Sequence, residues 1–206
     1  MSIDSFGCSE VIERRMKEFE ELGKYGETTF DFRPFLNLTL SATIETELAF
    51  CISTANSSAL SGLKFQKSLE ELDLYNLSVE SFERLMREAG VRFSKRKAKY
   101  IKVALEKFEI VEKALELEDF DARKKLLKIK GLGLKESSHF LRNVGRKNLA
   151  IIDRHILRWL ESKGYKFKLP RDYKKAEETL RAIAGDISLA KFDLIIWYEM
   201  TGKILK

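Results

Sequence analysis

Hydrophobic residues recur along most of this chain with the spacing of amphipathic helices. Leu48, Cys51, Ile52 and Ala55 fall at positions i, i+3, i+4 and i+7, and a second stripe with the same spacing begins at Phe82. Such stripes place apolar side chains on one face of a helix, toward a core. The pattern therefore predicts an all-α fold. Further helices are expected at roughly 8–24, 57–72, 78–89, 95–117, 119–128, 134–145, 153–163, 171–184 and 187–204.

One segment departs from helical spacing. Between Thr28 and Leu40, Phe30 and Phe32 alternate with polar residues, and Pro34 interrupts the alternation. Because proline lacks the amide hydrogen that a helix or an inner strand requires, this segment is expected to form a loop or a short extended stretch.

Length and composition favour a compact globular protein. With 206 residues, 44% hydrophobic and 34% charged, the chain can form one domain or two small lobes that share a cleft. Only 11 glycines and 2 prolines exclude collagen-like and wholly disordered classes. No apolar run approaches the roughly 20 residues that span a bilayer. Two isolated cysteines provide neither a disulfide framework nor metal-ligand spacing, which favours a reducing, cytoplasmic location.

The charge balance points weakly to an anionic partner. Lysine and arginine total 38 against 32 for aspartate and glutamate, a net charge of +6. Such a balance is common among proteins that bind nucleic acid, but many basic proteins bind none.

Residues 119–145 contain a more specific pattern, two helices joined by the turn Gly131-Leu132-Gly133. The turn is expected to be too tight for a β-carbon at either glycine. The amides at the start of the second helix lack partners within the helix, and the helix dipole adds partial positive charge there. A DNA phosphate could dock on them, as in a helix-hairpin-helix. The alternative is a plain glycine turn between packed helices.

Two side chains after this turn could carry chemistry. Lys135 lies in the first turn of the second helix, where the dipole disfavours the ammonium form and leaves an amine able to attack carbon. Asp153 precedes the apolar positions Ile156 and Leu157, a place where aspartate caps a helix. A capping carboxylate could also stabilise a cationic sugar in a transition state.

These residues resemble the motif of the helix-hairpin-helix base-excision DNA glycosylases. Gly131, Gly133, Lys135 and Asp153 match the hairpin glycines, nucleophilic lysine and essential aspartate of that family. The sequence IIDRHI resembles the stretch around the aspartate, and a lysine at this position marks members that also cleave the strand. The resemblance covers about residues 45–206.

The resemblance implies an architecture and further DNA contacts. It implies two helical lobes with the active site in the cleft between them, lobe one at about 36–117 and lobe two at about 1–35 plus 118–206. His155 matches a histidine that contacts phosphate. Asn56, in ELAFCISTANSSA, matches a polar residue that fills the gap left by the extruded base.

Within this family the chain is most similar to the small 8-oxoguanine DNA glycosylase/lyases of archaea and some bacteria. KESSHFLRNVG followed by NLAIIDRHILR carries the likeness, and no four-cysteine iron-sulfur motif is present. Lys206 matches a final lysine implicated in recognising the oxidised base. Trp197 could stack on that base, a role that the resemblance favours over ordinary core packing. Met86 could form the opposite wall, but its helical stripe favours core packing.

The expected function is thus excision of 8-oxoguanine from duplex DNA through a lysine Schiff base, followed by strand cleavage. The alternatives are a glycosylase for oxidised pyrimidines and a non-catalytic DNA-binding module. The resemblance implies a prokaryotic, nucleoid-associated monomer whose partner is DNA containing oxidised guanine, with no membrane association. No cofactor is expected, although a monovalent cation could bind the carbonyls of Leu127, Ile129 and Leu132.

Overall fold

The computed structural model describes residues 5–206, and side chains from residue 9 onward. These residues form eleven helices and one small sheet, which confirms the predicted helical class. None of these helices has the length and apolar character needed to cross a membrane. The elements are α1 Ser5–Tyr25, β1 Glu27–Asp31, β2 Thr39–Thr43, α2 Ile44–Thr54, α3 Ala59–Lys67, α4 Val79–Glu88, α5 Ser94–Glu106, α6 Phe108–Leu115, α7 Asp119–Leu126, α8 Leu134–Asn143, α9 Arg154–Ser162, α10 Tyr173–Ala184 and α11 Leu189–Thr201.

The segment without helical spacing forms the sheet. Strands β1 and β2 pair antiparallel, with Phe30 opposite Leu40, and the residues between them form turns. Phe30 and Phe32 are both fully buried. The expected loop or short extended stretch is therefore a hairpin that contributes aromatic side chains to the core.

The predicted helix over 95–117 is wrong, because the chain breaks there into α5 and α6. Lys107, between them, has φ −114° and ψ 29°, outside the helical region. Ala98, Ile101 and Leu105 are nevertheless buried on one face. Since the apolar stripe continues across the break, spacing alone did not show it.

The C-terminal helix also ends earlier than predicted. Gly202, with φ 70°, terminates α11 after Thr201, in the left-handed conformation that glycine adopts without strain. Ile204, Leu205 and Lys206 then leave the helix and are buried. Lys206 is therefore fixed in the interior rather than at the end of the helix that carries Trp197.

Buried hydrophobic residues form two clusters. The larger cluster includes Phe19, Leu126 and Phe140 among residues from α1 to Leu149, and it also takes in Ala190, Leu194, Ile204 and Leu205. The smaller lies between residues 150 and 200 and includes Trp159 and Leu180. Because α1, α7 and α8 pack into the larger cluster, they join residues 36–117 in one core.

A buried carboxylate links separate parts of this core. Glu47 on α2 accepts hydrogen bonds from Lys206 Nζ, from Gln66 Nε2 on α3 (3.0 Å) and from Asn143 Nδ2 on α8 (2.5 Å). The side chains of Glu47 and Lys206 are fully shielded from solvent. Glu47 therefore connects α2 with three other parts of the sequence, and the buried Lys206 ammonium balances its negative charge.

Replacing Glu47 with Gln keeps the size of the side chain but leaves the Lys206 ammonium buried without a counter-charge. Removing one partner of a buried ion pair costs about 3–5 kcal/mol, so we expect the free energy of unfolding in urea to fall by that amount. Glu161→Gln is the control, because Glu161 pairs with Lys166 at side-chain exposures of 59% and 82% and should lose less than about 1 kcal/mol. Equal losses in the two variants would contradict the prediction.

Candidate active site

The predicted turn between α7 and α8 is present, and it needs glycine at one of its two glycine positions. Gly131 has φ +103°, and a β-carbon there would lie 2.8 Å from the Tyr100 ring. Gly133 has φ −86° and serves as the N-cap of α8. A β-carbon at Gly133 would meet only the flexible Glu136 carboxylate, at 3.0 Å. The expectation that both glycines exclude a β-carbon is therefore wrong for Gly133.

Lys135 lies in the first turn of α8, as predicted, with its side chain 26% exposed. Its Nζ lies 3.4 Å from Glu136 Oε1. Glu136 Oε2 also accepts a hydrogen bond from the amide of Gly133, at 3.3 Å. The carboxylate next to the lysine is thus held against the start of the same helix.

Asp153 caps α9, which confirms the predicted cap. One oxygen, Oδ1, accepts hydrogen bonds from the amides of His155 (2.8 Å) and Ile156 (2.9 Å). Oδ2 accepts none among the described residues. The carboxylate is therefore held in one orientation, with its second oxygen available to a ligand.

Lys135 and Asp153 line the same cavity, together with Trp197 and Lys206. Lysine and carboxylate come from the starts of two different helices, and Trp197 comes from α11. Within the described chain, the buried indole Nε1 of Trp197 has no hydrogen-bond partner. The cavity therefore combines a lysine amine, a carboxylate and an aromatic wall.

The cavity opens into a wider cleft that shares Lys135, Asp153 and Trp197 with it. Asn56 lies on this cleft, exposed at the end of α2 with φ 54°. His155 also lines the cleft, and its ring packs edge-on against Trp197 at 4.8 Å between centroids. The structure thus brings the predicted DNA-contacting residues to the mouth of the cavity.

The side chain of Lys206 points away from the cavity. Its Nζ bonds Glu47 and Gln66 and lies 4.0 Å from the centroid of Phe30. The side chain is 0% exposed whereas the residue is 6% exposed, so its main chain is the part that reaches the cavity. The ammonium group is consequently an internal anchor.

The structure does not place Met86 in the base pocket. Its side chain is fully buried on α4 within the larger hydrophobic cluster, and it does not line the cavity. Of the two interpretations of its helical stripe, core packing is the one that the structure supports.

Three ionisable residues of the cavity wall were missed by sequence reasoning: His139, Arg142 and Asp193. Arg142 Nη1 donates to Asp193 Oδ2 at 2.8 Å, and both side chains are buried. His139 follows Lys135 by four residues, and Asp193 precedes Trp197 by four. Since residues four apart share a helix face, this spacing was the available signal.

Burial sets the ionisation of two of these groups. It raises the pKa of Asp193 to about 6, although the neighbouring Arg142 acts in the opposite direction. Burial, together with the positive charges of Arg142 and Lys135, lowers the pKa of His139 well below its ordinary value. The His139 imidazole is therefore neutral, and its buried Nδ1 has no partner within the described residues.

A sequence model of the family described as 8-oxoguanine DNA glycosylase matches residues 12–189, most of the chain. The chain belongs to this family. Membership of the 8-oxoguanine DNA glycosylase family confirms the resemblance found in the hairpin, Lys135 and Asp153, and with it the predicted fold and enzyme class.

Curated relatives named 8-oxoguanine DNA glycosylase/AP lyase match nearly the whole chain. The Aquifex aeolicus protein is 45% identical, over 95% of this chain and 92% of its own length. The Methanocaldococcus jannaschii protein is 37% identical, over 96% and 92% respectively.

Solved structures of this glycosylase family have the same fold. The 8-oxoguanine DNA glycosylase of Thermotoga maritima superposes with a TM-score of 0.82 at 32% identity, covering 98% of this chain and 94% of its own. The Methanocaldococcus jannaschii enzyme in complex with a 15mer DNA containing 8-oxoguanine has a TM-score of 0.79 at 35% identity, covering 96% and 93%.

The two hairpin glycines should respond differently to alanine. Gly131→Ala forces a residue with a β-carbon into a positive-φ conformation against Tyr100, and such strain costs on the order of 1–3 kcal/mol. Gly133→Ala has ordinary backbone angles and should change the free energy of unfolding by less than about 1 kcal/mol. Denaturant unfolding of both variants measures these changes. Similar losses of unfolding free energy at the two positions would contradict the conclusion that only Gly131 requires glycine.

Proposed function

We propose that this chain excises 8-oxoguanine from duplex DNA through a Schiff base at Lys135 and then nicks the strand by β-elimination. The observation that carries the proposal is the meeting of Lys135, Asp153 and Trp197 at one buried cavity beneath an open cleft. The names of the close relatives support the same activity.

The cleft is suited to hold a DNA strand whose base has been extruded. Arg92 and Arg154 line it and supply positive charge for phosphates. The amides at the start of α8 add a backbone site for a phosphate, with His155 nearby. Asn56 would occupy the space that the flipped base leaves in the duplex. We infer that the protein binds DNA in this way as a monomer.

The reaction begins when the unprotonated Lys135 amine attacks C1′ of the damaged nucleotide. The bond between C1′ and the base breaks, and its electron pair leaves with the base, which takes up a proton. The nitrogen lone pair then forms a C=N bond as the C1′–O4′ bond breaks, and O4′ takes up the proton that the attacking nitrogen has lost. The ring is now open, and a protonated imine joins Lys135 to C1′. Loss of a proton from C2′ then expels the 3′ phosphate and cleaves the strand.

Asp153 is proposed to stabilise the positive charge that develops on the sugar and on the imine. Its carboxylate is fixed by two amide donors, so it needs no reorganisation as the charge appears. Asp153 also lines the cavity, beside Lys135.

Recognition of the oxidised base is assigned to stacking on Trp197 and to polar contacts at Lys206. Stacking binds any purine, so discrimination against guanine requires a group that senses the N7 hydrogen or O8. The Lys206 amine is engaged with Glu47 and Gln66, which leaves the main chain of Lys206 as the part that can meet the base.

A monovalent cation could bind at the hairpin, where three carbonyls remain available. Those of Leu127 and Leu132 accept no hydrogen bond among the described residues, and that of Ile129 accepts one, from the Leu132 amide. Carbonyl oxygens are suitable ligands for hard cations. Such an ion would add positive charge where the backbone meets a phosphate.

If Lys135 is the nucleophile, borohydride should trap a covalent complex with a duplex containing 8-oxoguanine, and Lys135→Gln should abolish trapping. Binding to a duplex with an uncleavable abasic analogue should persist, because the hairpin is intact. Lys166→Gln is the matched control, since Lys166 is exposed between α9 and α10 and lines neither the cavity nor the cleft. Trapping that survives Lys135→Gln would exclude this residue. A thymine-glycol duplex tests whether oxidised pyrimidines are substrates instead.

Deleting Lys206 should reduce 8-oxoguanine excision about 10- to 100-fold more than cleavage at a preformed abasic site, because only excision needs contacts to the base. The double variant Glu47→Gln/Lys206→Met removes both buried charges, keeps an acceptor oxygen for Gln66 and Asn143, and keeps the main chain at 206. It should retain the preference for 8-oxoguanine, since it leaves no buried charge without a partner. Equal losses on both substrates would assign Lys206 to folding alone.

A further inference from the structure

The chain between α8 and α9 reaches Asp153 through residues 146–153, which have no helix or strand of their own. Ala150 and Ile152 are fully buried, so their backbone groups need partners from elsewhere. Those partners come from one face of α10, at Tyr173 and Glu177, four residues apart. We propose that Tyr173 and Glu177 are positioning residues that set the place of Asp153 in the cavity. This inference rests on the catalytic role proposed for Asp153.

Tyr173 holds this segment at two points. Its hydroxyl donates to the carbonyl of Ala150 at 2.8 Å and accepts from the amide of Ile152 at 3.3 Å. Burial raises the pKa of Tyr173 to about 12, so the hydroxyl keeps the hydrogen that it donates. The Tyr173 hydroxyl therefore holds the backbone at Ala150, three residues before Asp153, and at Ile152, immediately before Asp153.

Glu177 holds the same segment and is itself held by an ion pair. Its Oε1 accepts from the amide of Ala150 at 2.8 Å. Arg123 on α7 donates to both oxygens of Glu177, at 2.7 and 2.8 Å. This two-point contact fixes the plane of the carboxylate more strictly than a single hydrogen bond would.

The network also reaches the helix that carries the nucleophile. Arg123 Nη1 donates to Ser138 Oγ at 3.1 Å, and Ser138 lies on α8 three residues after Lys135. Ser138 in turn donates to the carbonyl of Leu134 at 2.8 Å. The same buried group therefore connects the segment that ends at Asp153 with the first turn of α8. It is placed to set the distance between the two catalytic side chains.

Tyr173→Phe is the decisive variant, because it keeps the ring in the core and removes only the hydroxyl. A misplacement of about 1 Å can cost on the order of 100-fold, so we expect the single-turnover rate of 8-oxoguanine excision to fall about 10- to 100-fold. Affinity for a duplex with an uncleavable abasic analogue should stay at the wild-type value. Thr179→Val is the control, because the Thr179 hydroxyl bonds only the Lys175 carbonyl of its own helix; its excision rate should be unchanged.

Glu177 offers a conservative rescue. Glu177→Gln keeps an acceptor oxygen for the Ala150 amide, whereas Glu177→Leu removes it, so the glutamine variant should excise faster than the leucine variant. Thermal unfolding of each variant gives the folded fraction at the assay temperature. If neither Glu177 variant folds, the test rests on Tyr173→Phe.

Asp153→Asn, measured in parallel, separates the two levels of the proposal. Full excision by Asp153→Asn would overturn the catalytic role of Asp153 itself. If Asp153→Asn is inactive but folded Tyr173→Phe excises at the wild-type rate, only the positioning role is overturned. A rate loss in Tyr173→Phe that matches its unfolded fraction, or an equal loss of affinity for the abasic analogue, would also overturn it.

Discussion

The fold depends on a single interior carboxylate, that of Glu47. Burying a charge is costly unless donors surround it, and here Lys206, Gln66 and Asn143 supply them from three distant parts of the chain. Asn143 then accepts from Arg142 Nε at 2.7 Å, and Arg142 pairs with Asp193 on the cavity wall. This chain of hydrogen bonds connects Glu47 with Asp193 on the cavity wall. Packing alone would permit neighbouring helices to slide, but these directional contacts fix their register.

The chemistry is concentrated at helix starts, because backbone amides are free there. Lys135 begins α8 and Asp153 begins α9, and both face one cavity. The amides donate hydrogen bonds to the aspartate and could donate them to a phosphate, but their partial positive charge repels a lysine ammonium. The Glu136 carboxylate, 3.4 Å from Lys135 Nζ, offsets part of that opposition. The aspartate and the lysine thus lie in the same kind of field, which favours a negative charge and opposes a positive one.

Sequence reasoning located the parts of the candidate site that are encoded in local spacing and missed those that are encoded in tertiary contact. Lys135, Asp153 and the need for glycine at Gly131 follow from a turn and two helix starts. The buried ammonium of Lys206 does not, because its partner Glu47 lies 159 positions away. The break at Lys107 was hidden because the apolar stripe runs through it. His139 and Asp193 are intermediate cases. Their four-residue spacing from Lys135 and Trp197 is visible in the sequence, but this spacing indicates a shared site only once the cavity is known.

The two groups proposed to be catalytic, Lys135 and Asp153, are supported in different ways, and this difference follows from backbone structure. Lys135 belongs to a helix, so the hydrogen bonds of α8 hold its main chain. Asp153 follows an irregular segment that cannot satisfy its own amides and carbonyls, so its position is only as fixed as the side chains that bind that segment. Tyr173 and Glu177 provide those contacts, and Arg123 connects them to Ser138 on α8. A proposed catalytic pair in which one residue lies on a helix and the other follows an irregular segment therefore requires a buried polar network to hold the two side chains in place.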